Sequence, residues 1–179
     1  MRHLPNLICL LRIALIWPIV LSIQDADYAR TLVLFFVAAF SDGLDGFLAK
    51  RYHWTSELGK VLDPLGDKLL LITVFLVATW YGLIPAPLTI VAVGRDVLIV
   101  LGALVYRLWF GPLRGRPMIS SKINTLMQLL FVLAVVANAG YQLPAKSILT
   151  ALYWLTWVTL LFSGYVYVRE YTRRALAAI

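Results

Sequence analysis

The stretch Asp42-Gly43-Leu44-Asp45-Gly46-Phe47-Leu48-Ala49-Lys50, followed after eight residues by Gly59-Lys60-Val61-Leu62-Asp63-Pro64-Leu65-Gly66-Asp67, sets four aspartates in sequence whose flanks are apolar enough to be solvated by lipid. A carboxylate at membrane depth is costly unless it is paired or bound to a cation, so four of them mark a functional site. Asp42 and Asp45 are three apart on one predicted helix, and Asp63 and Asp67 four apart on the next. Each pair therefore shares one helix face.

Working outward, the 179 residues are 61% hydrophobic and 14% charged, with a mean hydropathy of +0.84. Soluble chains average about 45–50% apolar and about 25% charged. The composition predicts an all-α integral membrane protein, a six-transmembrane-helix bundle that uses residues 1–179 as a single membrane domain. The spans fall near residues 4–23, 27–50, 57–80, 87–108, 121–139 and 148–168, with a basic tail from Arg169 to Arg174. The first run reads as a span and not a cleaved signal, because Arg12 interrupts it and no small-x-small site precedes Gln24 and Asp25.

The net charge of +7 has no basic domain interleaved with aromatics, so nucleic acid is excluded as a partner and the charge faces anionic lipid headgroups. Arg2, Lys50, Arg51, Arg107, Arg114, Arg116, Arg169, Arg173 and Arg174 fall on one side of the six spans, and Arg30 and Lys146 on the other. The positive-inside rule then predicts a multi-pass protein of the plasma or inner membrane, with both termini and the linker between the aspartate pairs in the cytoplasm. The single Cys9 allows no intrachain disulfide. His3 and His53 flank the membrane, and Trp54, Trp80 and Trp109 suit an aromatic belt.

Both pairs lie near the helix ends that meet at residues 51–56, so a helical hairpin is expected to bring all four aspartates together. Clustered carboxylates repel one another unless cations neutralise them. Oxygen-only ligands select hard divalent ions, Mg2+ or Mn2+, and four carboxylates suffice for two. A two-metal clamp suits phosphoryl chemistry, and a carboxylate left partly free can take a proton from an attacking hydroxyl. The alternatives are structural ion pairs with Lys50, Lys60 and Lys68, or a small ion-coupled transporter whose acids line a cation path. Asp42, Asp45, Gly46 and Ala49 share one helical face, as do Gly59, Asp63 and Asp67. The glycines permit close approach by a ligand or by a neighbouring helix.

The two quoted segments resemble the signature of the CDP-alcohol phosphatidyltransferases, Asp-x-x-Asp-Gly-x-x-Ala-Arg, eight residues, then Gly-x-x-x-Asp-x-x-x-Asp. The one departure is Lys50 in place of Arg, which keeps the positive charge but loses the bidentate fork. The resemblance implies a six-helix bundle that dimerises and binds a CDP-linked lipid at a cytoplasmic two-metal site. It implies that Asp42, Asp45, Asp63 and Asp67 are metal ligands for Mg2+ or Mn2+ and that Asp67 is also the base activating the acceptor hydroxyl. Gly46, Ala49, Lys50 and Gly59 become contacts of the cytidine diphosphate. The implied reaction transfers a phosphatidyl group from CDP-diacylglycerol to an alcohol, releasing CMP.

Beyond the motif, Pro5-Asn6-Leu7-Ile8 with Arg12 is similar to the first helix of the phosphatidylglycerophosphate synthases and of the eukaryotic-type cardiolipin synthases. Asn6 is thereby a candidate nucleotide or metal-shell contact, or else a helix-start cap. Gly94-Arg95-Asp96 and Ser121-Lys122-Ile123-Asn124-Thr125 look more like the cardiolipin synthases. Arg95 and Lys122 are cations suited to gripping the acceptor's phosphate, whether the acceptor is glycerol 3-phosphate or phosphatidylglycerol. Arg95 could instead pair with other groups for packing alone.

Overall fold

Lipid offers no hydrogen bonds to a bare backbone, so long apolar runs satisfy their own peptide groups as helices. The computed structural model, which describes residues 4–52, 59–110 and 119–176, has α1 (Leu4–Gln24), α2 (Tyr28–Tyr52), α3 (Gly59–Trp80), α4 (Ala86–Phe110), α5 (Ile119–Tyr141) and α6 (Lys146–Leu176). At 21 to 31 residues and about 1.5 Å per residue, each is long enough to cross a hydrocarbon core of about 30 Å. Among the described residues, Ile119–Tyr141 and Lys146–Arg173 are both long and apolar enough to cross a membrane.

The basic tail from Arg169 to Arg174 is helical, continuing α6, which runs on to Leu176. Tyr171 explains the extension, since its ring packs where a side chain on Gly102 of α4 would stand, 2.8 Å from the site of a Cβ. Glu170 and Arg173, three apart, lie 3.8 Å from each other along the same helix.

The chain divides into two compact units, crossing between them after Ile84, inside α5 after Phe131, and after Ala145. The first comprises Met1–Ile84 and Val132–Ala145. Here α1 packs on both α2 and α3, and Ile19, Ile23, Phe35, Ala38, Val74 and Phe75 are buried. Asp27 caps α2 by accepting the backbone N–H of Arg30 at 3.0 Å. A buried Thr31 donates to Ser22 at 2.9 Å, joining α2 to α1. Gly140 is required by contact, because a Cβ there would stand 2.8 Å from Cβ of Tyr28.

The second unit comprises Pro85–Phe131 and Lys146–Ile179. In it α4 and α6 run parallel, Arg95 meeting Ser163 and Tyr167, and Ile99 and Gly102 meeting Tyr171. Leu88, Ala92 and Leu160 are buried.

The exterior carries many large apolar side chains, and the apolar interior holds a minority of polar ones. Arg12, Ser22, Thr31, Arg95, Asp96, Asn124, Gln128 and Ser163 are buried, whereas Trp17, Phe36, Phe40, Leu101, Trp154 and Phe162 are exposed. Large apolar side chains on the exterior are stable where the solvent is hydrocarbon, and buried polar ones where they hydrogen-bond between helices.

Candidate functional site

The quoted motif is helical wherever its backbone is described, since Asp42 to Lys50 belong to α2 and Gly59 to Asp67 to α3. At about 1.5 Å per residue, Asp42 and Asp45 stand roughly 15 and 10 Å before the end of α2. Asp63 and Asp67 stand roughly 6 and 12 Å after the start of α3. Both pairs therefore lie in the half of their helix nearer residues 53–58. The side chains of Asn6, Asp42, Asp45, Ala49, Lys50, Asp63 and Asp67, and the surroundings of Gly46 and Gly59, lie outside the described residues. So does the expected meeting of the four carboxylates. Gly66, between Asp63 and Asp67, is buried, and Lys68 is half-buried and engaged with a partner.

Among the described residues no three His, Cys, Asp or Glu side chains gather as a metal site. The donor set that could hold a metal is the aspartate quartet, and its chemistry fits a hard divalent cation, with anionic oxygen at each position and neither sulfur nor imidazole.

Arg95 is described in full. It lies at the centre of a polar cluster inside the second unit, 6% exposed, as is Asp96. Its Nη1 donates to Asp96 Oδ1 at 2.5 Å, and its Nη2 donates to Ser121 Oγ of α5 at 3.0 Å and to Ser163 Oγ of α6. The guanidinium carbon sits 5.5 Å from the ring centroid of Tyr167, a cation–π contact. The pairing follows from burial, since a guanidinium this far from water needs both a counter-charge and acceptors for its N–H groups. Its Nε has no acceptor among the described residues. Lys122, one residue beyond Ser121, is exposed.

Ser121 and Ser163 hold Arg95 although the sequence marks neither as its partner, Ser121 standing there only as the first residue of a quoted motif. They lie 26 and 68 residues from Arg95 in the chain, and neither spacing carries a local signal. Asn124 was likewise only part of a quoted motif, and the structure buries it at 0% exposure.

Comparison with known proteins adds a chain-wide likeness. The sequence pattern of the CDP-alcohol phosphatidyltransferase family matches residues 2–164. The cardiolipin synthase (CMP-forming) of Rattus norvegicus is 32% identical over 192 residues, covering 98% of this chain and 63% of that protein. The CDP-diacylglycerol–glycerol-3-phosphate 3-phosphatidyltransferase of Bacillus subtilis is 30% identical, covering 93% of this chain and 94% of its own length. The protein of the same name from Aquifex aeolicus is 32% identical, with 83% of each chain covered. This chain thus spans less than two thirds of the length of the mammalian relative and nearly all of the Bacillus one.

Proposed function

The chain belongs to the CDP-alcohol phosphatidyltransferase family, and from that premise we propose that it transfers the phosphatidyl group of CDP-diacylglycerol to a glycerol-phosphate acceptor, releasing CMP. The observation that carries the reading is the aspartate motif from Asp42 to Asp67, lying within the family match. Family membership sets the transporter alternative aside.

Asp67 takes the proton of the acceptor hydroxyl, and the freed oxygen attacks the lipid-side phosphorus. A P–O bond to the acceptor forms as the bridging P–O bond breaks, and CMP leaves with the electron pair of that bond. Asp42, Asp45, Asp63 and Asp67 would hold two Mg2+ or Mn2+ ions, which when bound offset charge on the diphosphate. Gly46 and Gly59, lacking side chains, and Ala49 let the nucleotide approach the backbone, while Lys50 supplies positive charge to its phosphates and Asn6 a polar contact.

Arg95 and Lys122 would bind the acceptor's phosphate. What supports Arg95 in this role is its unused Nε donor; its other described contacts hold the guanidinium in place. The relatives divide between cardiolipin synthase and glycerol-3-phosphate 3-phosphatidyltransferase. The reading therefore stays with what glycerol 3-phosphate and phosphatidylglycerol share, a glycerol hydroxyl beside a phosphate. It includes six membrane crossings by one functional unit, with both termini and the aspartates on the cytoplasmic side, and a homodimer as its assembly.

The test is to supply purified protein with CDP-diacylglycerol, a divalent cation and each acceptor in turn, and identify the lipid product by mass spectrometry. Phosphatidylglycerophosphate or cardiolipin is the expected product. Absence of both overturns the reading.

A further inference from the structure

The interior of the second unit concentrates polar atoms that lack partners. Among the described residues, Asn124 leaves both Nδ2 and Oδ1 without a hydrogen bond, as do Ser120 Oγ and Trp157 Nε1 with theirs. Asn124 is 0% exposed. Ser120, Asn124 and Gln128 follow one another at four-residue spacing on α5 and so line one face, with Gln128 also buried. Ser121, on the first of these turns, is the hydroxyl that Arg95 reaches.

A buried amide using neither its donor nor its acceptor bears the desolvation cost of both. Leucine occupies similar space without that cost, so the amide calls for a ligand that completes it. Its chemistry restricts the ligand. A phosphate would satisfy Nδ2 and be repelled by Oδ1, and a cation would do the reverse. A pair of hydroxyls on adjacent carbons satisfies both at once, because a hydroxyl accepts as well as donates.

We propose that Asn124 binds the vicinal diol of the glycerol acceptor, Nδ2 donating to one hydroxyl oxygen and Oδ1 accepting from its neighbour. The inference rests on the phosphatidyl-transfer reading above. Glycerol 3-phosphate and the headgroup of phosphatidylglycerol both carry such a diol, and only one of its hydroxyls reacts. The second stays in place, so this contact is not consumed by the reaction. It also makes Asn124 a specificity-determining residue, since a site built to pair a hydroxyl rejects the analogue that lacks it.

The experiment pairs each acceptor with its analogue lacking the non-reacting hydroxyl: glycerol 3-phosphate with 3-hydroxypropyl phosphate, and phosphatidylglycerol with phosphatidyl-1,3-propanediol. CMP release is measured for the full chain and for Asn124→Leu and Asn124→Ser, with the KM for CDP-diacylglycerol followed in parallel. The native chain is expected to prefer a diol acceptor by at least about tenfold in kcat/KM. Asn124→Leu should abolish that preference by lowering the diol acceptor alone, leaving the KM for CDP-diacylglycerol unchanged, and Asn124→Ser should restore part of it. The pair in which the preference appears identifies the acceptor. A preference that survives Asn124→Leu overturns the proposal and assigns the amide to interior water. Loss of folding in both variants overturns it too, by making the amide a structural group. A native chain that releases no CMP with any of these acceptors overturns the transfer reading itself.

Discussion

Arg95 and Asp96, neighbours in the chain and both buried, meet at 2.5 Å between Nη1 and Oδ1, so that α4 carries its own counter-charge into the interior of the second unit. Removing Asp96 leaves the buried guanidinium without its described counter-charge. Asp96→Asn is expected to lower stability by about 3–5 kcal/mol, the cost of an uncompensated buried charge. The double variant Arg95→Met/Asp96→Asn should lose less than Asp96→Asn alone. Thermal unfolding of the purified variants in detergent checks the order.

Two glycines mark helix contacts of different hardness. A Cβ on Gly102 would stand 2.8 Å from the Tyr171 ring, whereas one on Gly140 would stand 2.8 Å from Cβ of Tyr28. Gly102→Ala should cost about 1–3 kcal/mol by overpacking and be relieved by Tyr171→Ala. Gly140→Ala should not be relieved by Tyr28→Ala, which keeps the offending atom, but by Tyr28→Gly. Melting temperatures of the single and double variants separate the two cases.

Much of this is legible in the sequence alone. The cores of all six helices follow from apolar runs, and the shared faces of Asp42 with Asp45 and of Asp63 with Asp67 follow from helical spacing alone. What escaped was set by long-range contact. That α6 continues through the basic tail to Leu176 has no local signal, because the packing of Tyr171 on Gly102 leaves no trace in the sequence. Asp96 was visible as the neighbour of Arg95, but Ser121 and Ser163 were brought to it by helix packing. The unpartnered amide of Asn124 could not be read at all, because being unpartnered depends on every surrounding element.

Lys50 stands where the family pattern has Arg. Lys50→Ala should raise the KM for CDP-diacylglycerol about tenfold or more, as expected when a charged hydrogen bond of about 1.5–3 kcal/mol is lost. Lys50→Arg should retain or improve it. Initial rates over a CDP-diacylglycerol titration decide between them.

Chelation by EDTA is expected to stop CMP release, and Mg2+ or Mn2+ in excess to restore it, because the proposed aspartate site would need a hard divalent counter-ion. Potassium at the same ionic strength should restore nothing. Activity retained in EDTA would remove the aspartates from a metal-binding role.

The central claim is that the aspartate motif carries out phosphatidyl transfer, and CMP released from CDP-diacylglycerol by the native chain and by Asp67→Ala tests it most directly. The account predicts CMP in equal amount to a new phosphatidyl product from the native chain. It predicts a loss of at least about 10²-fold in the variant, the scale of a missing general base. Undiminished CMP release from Asp67→Ala, or none from the native chain with any glycerol acceptor, would contradict it.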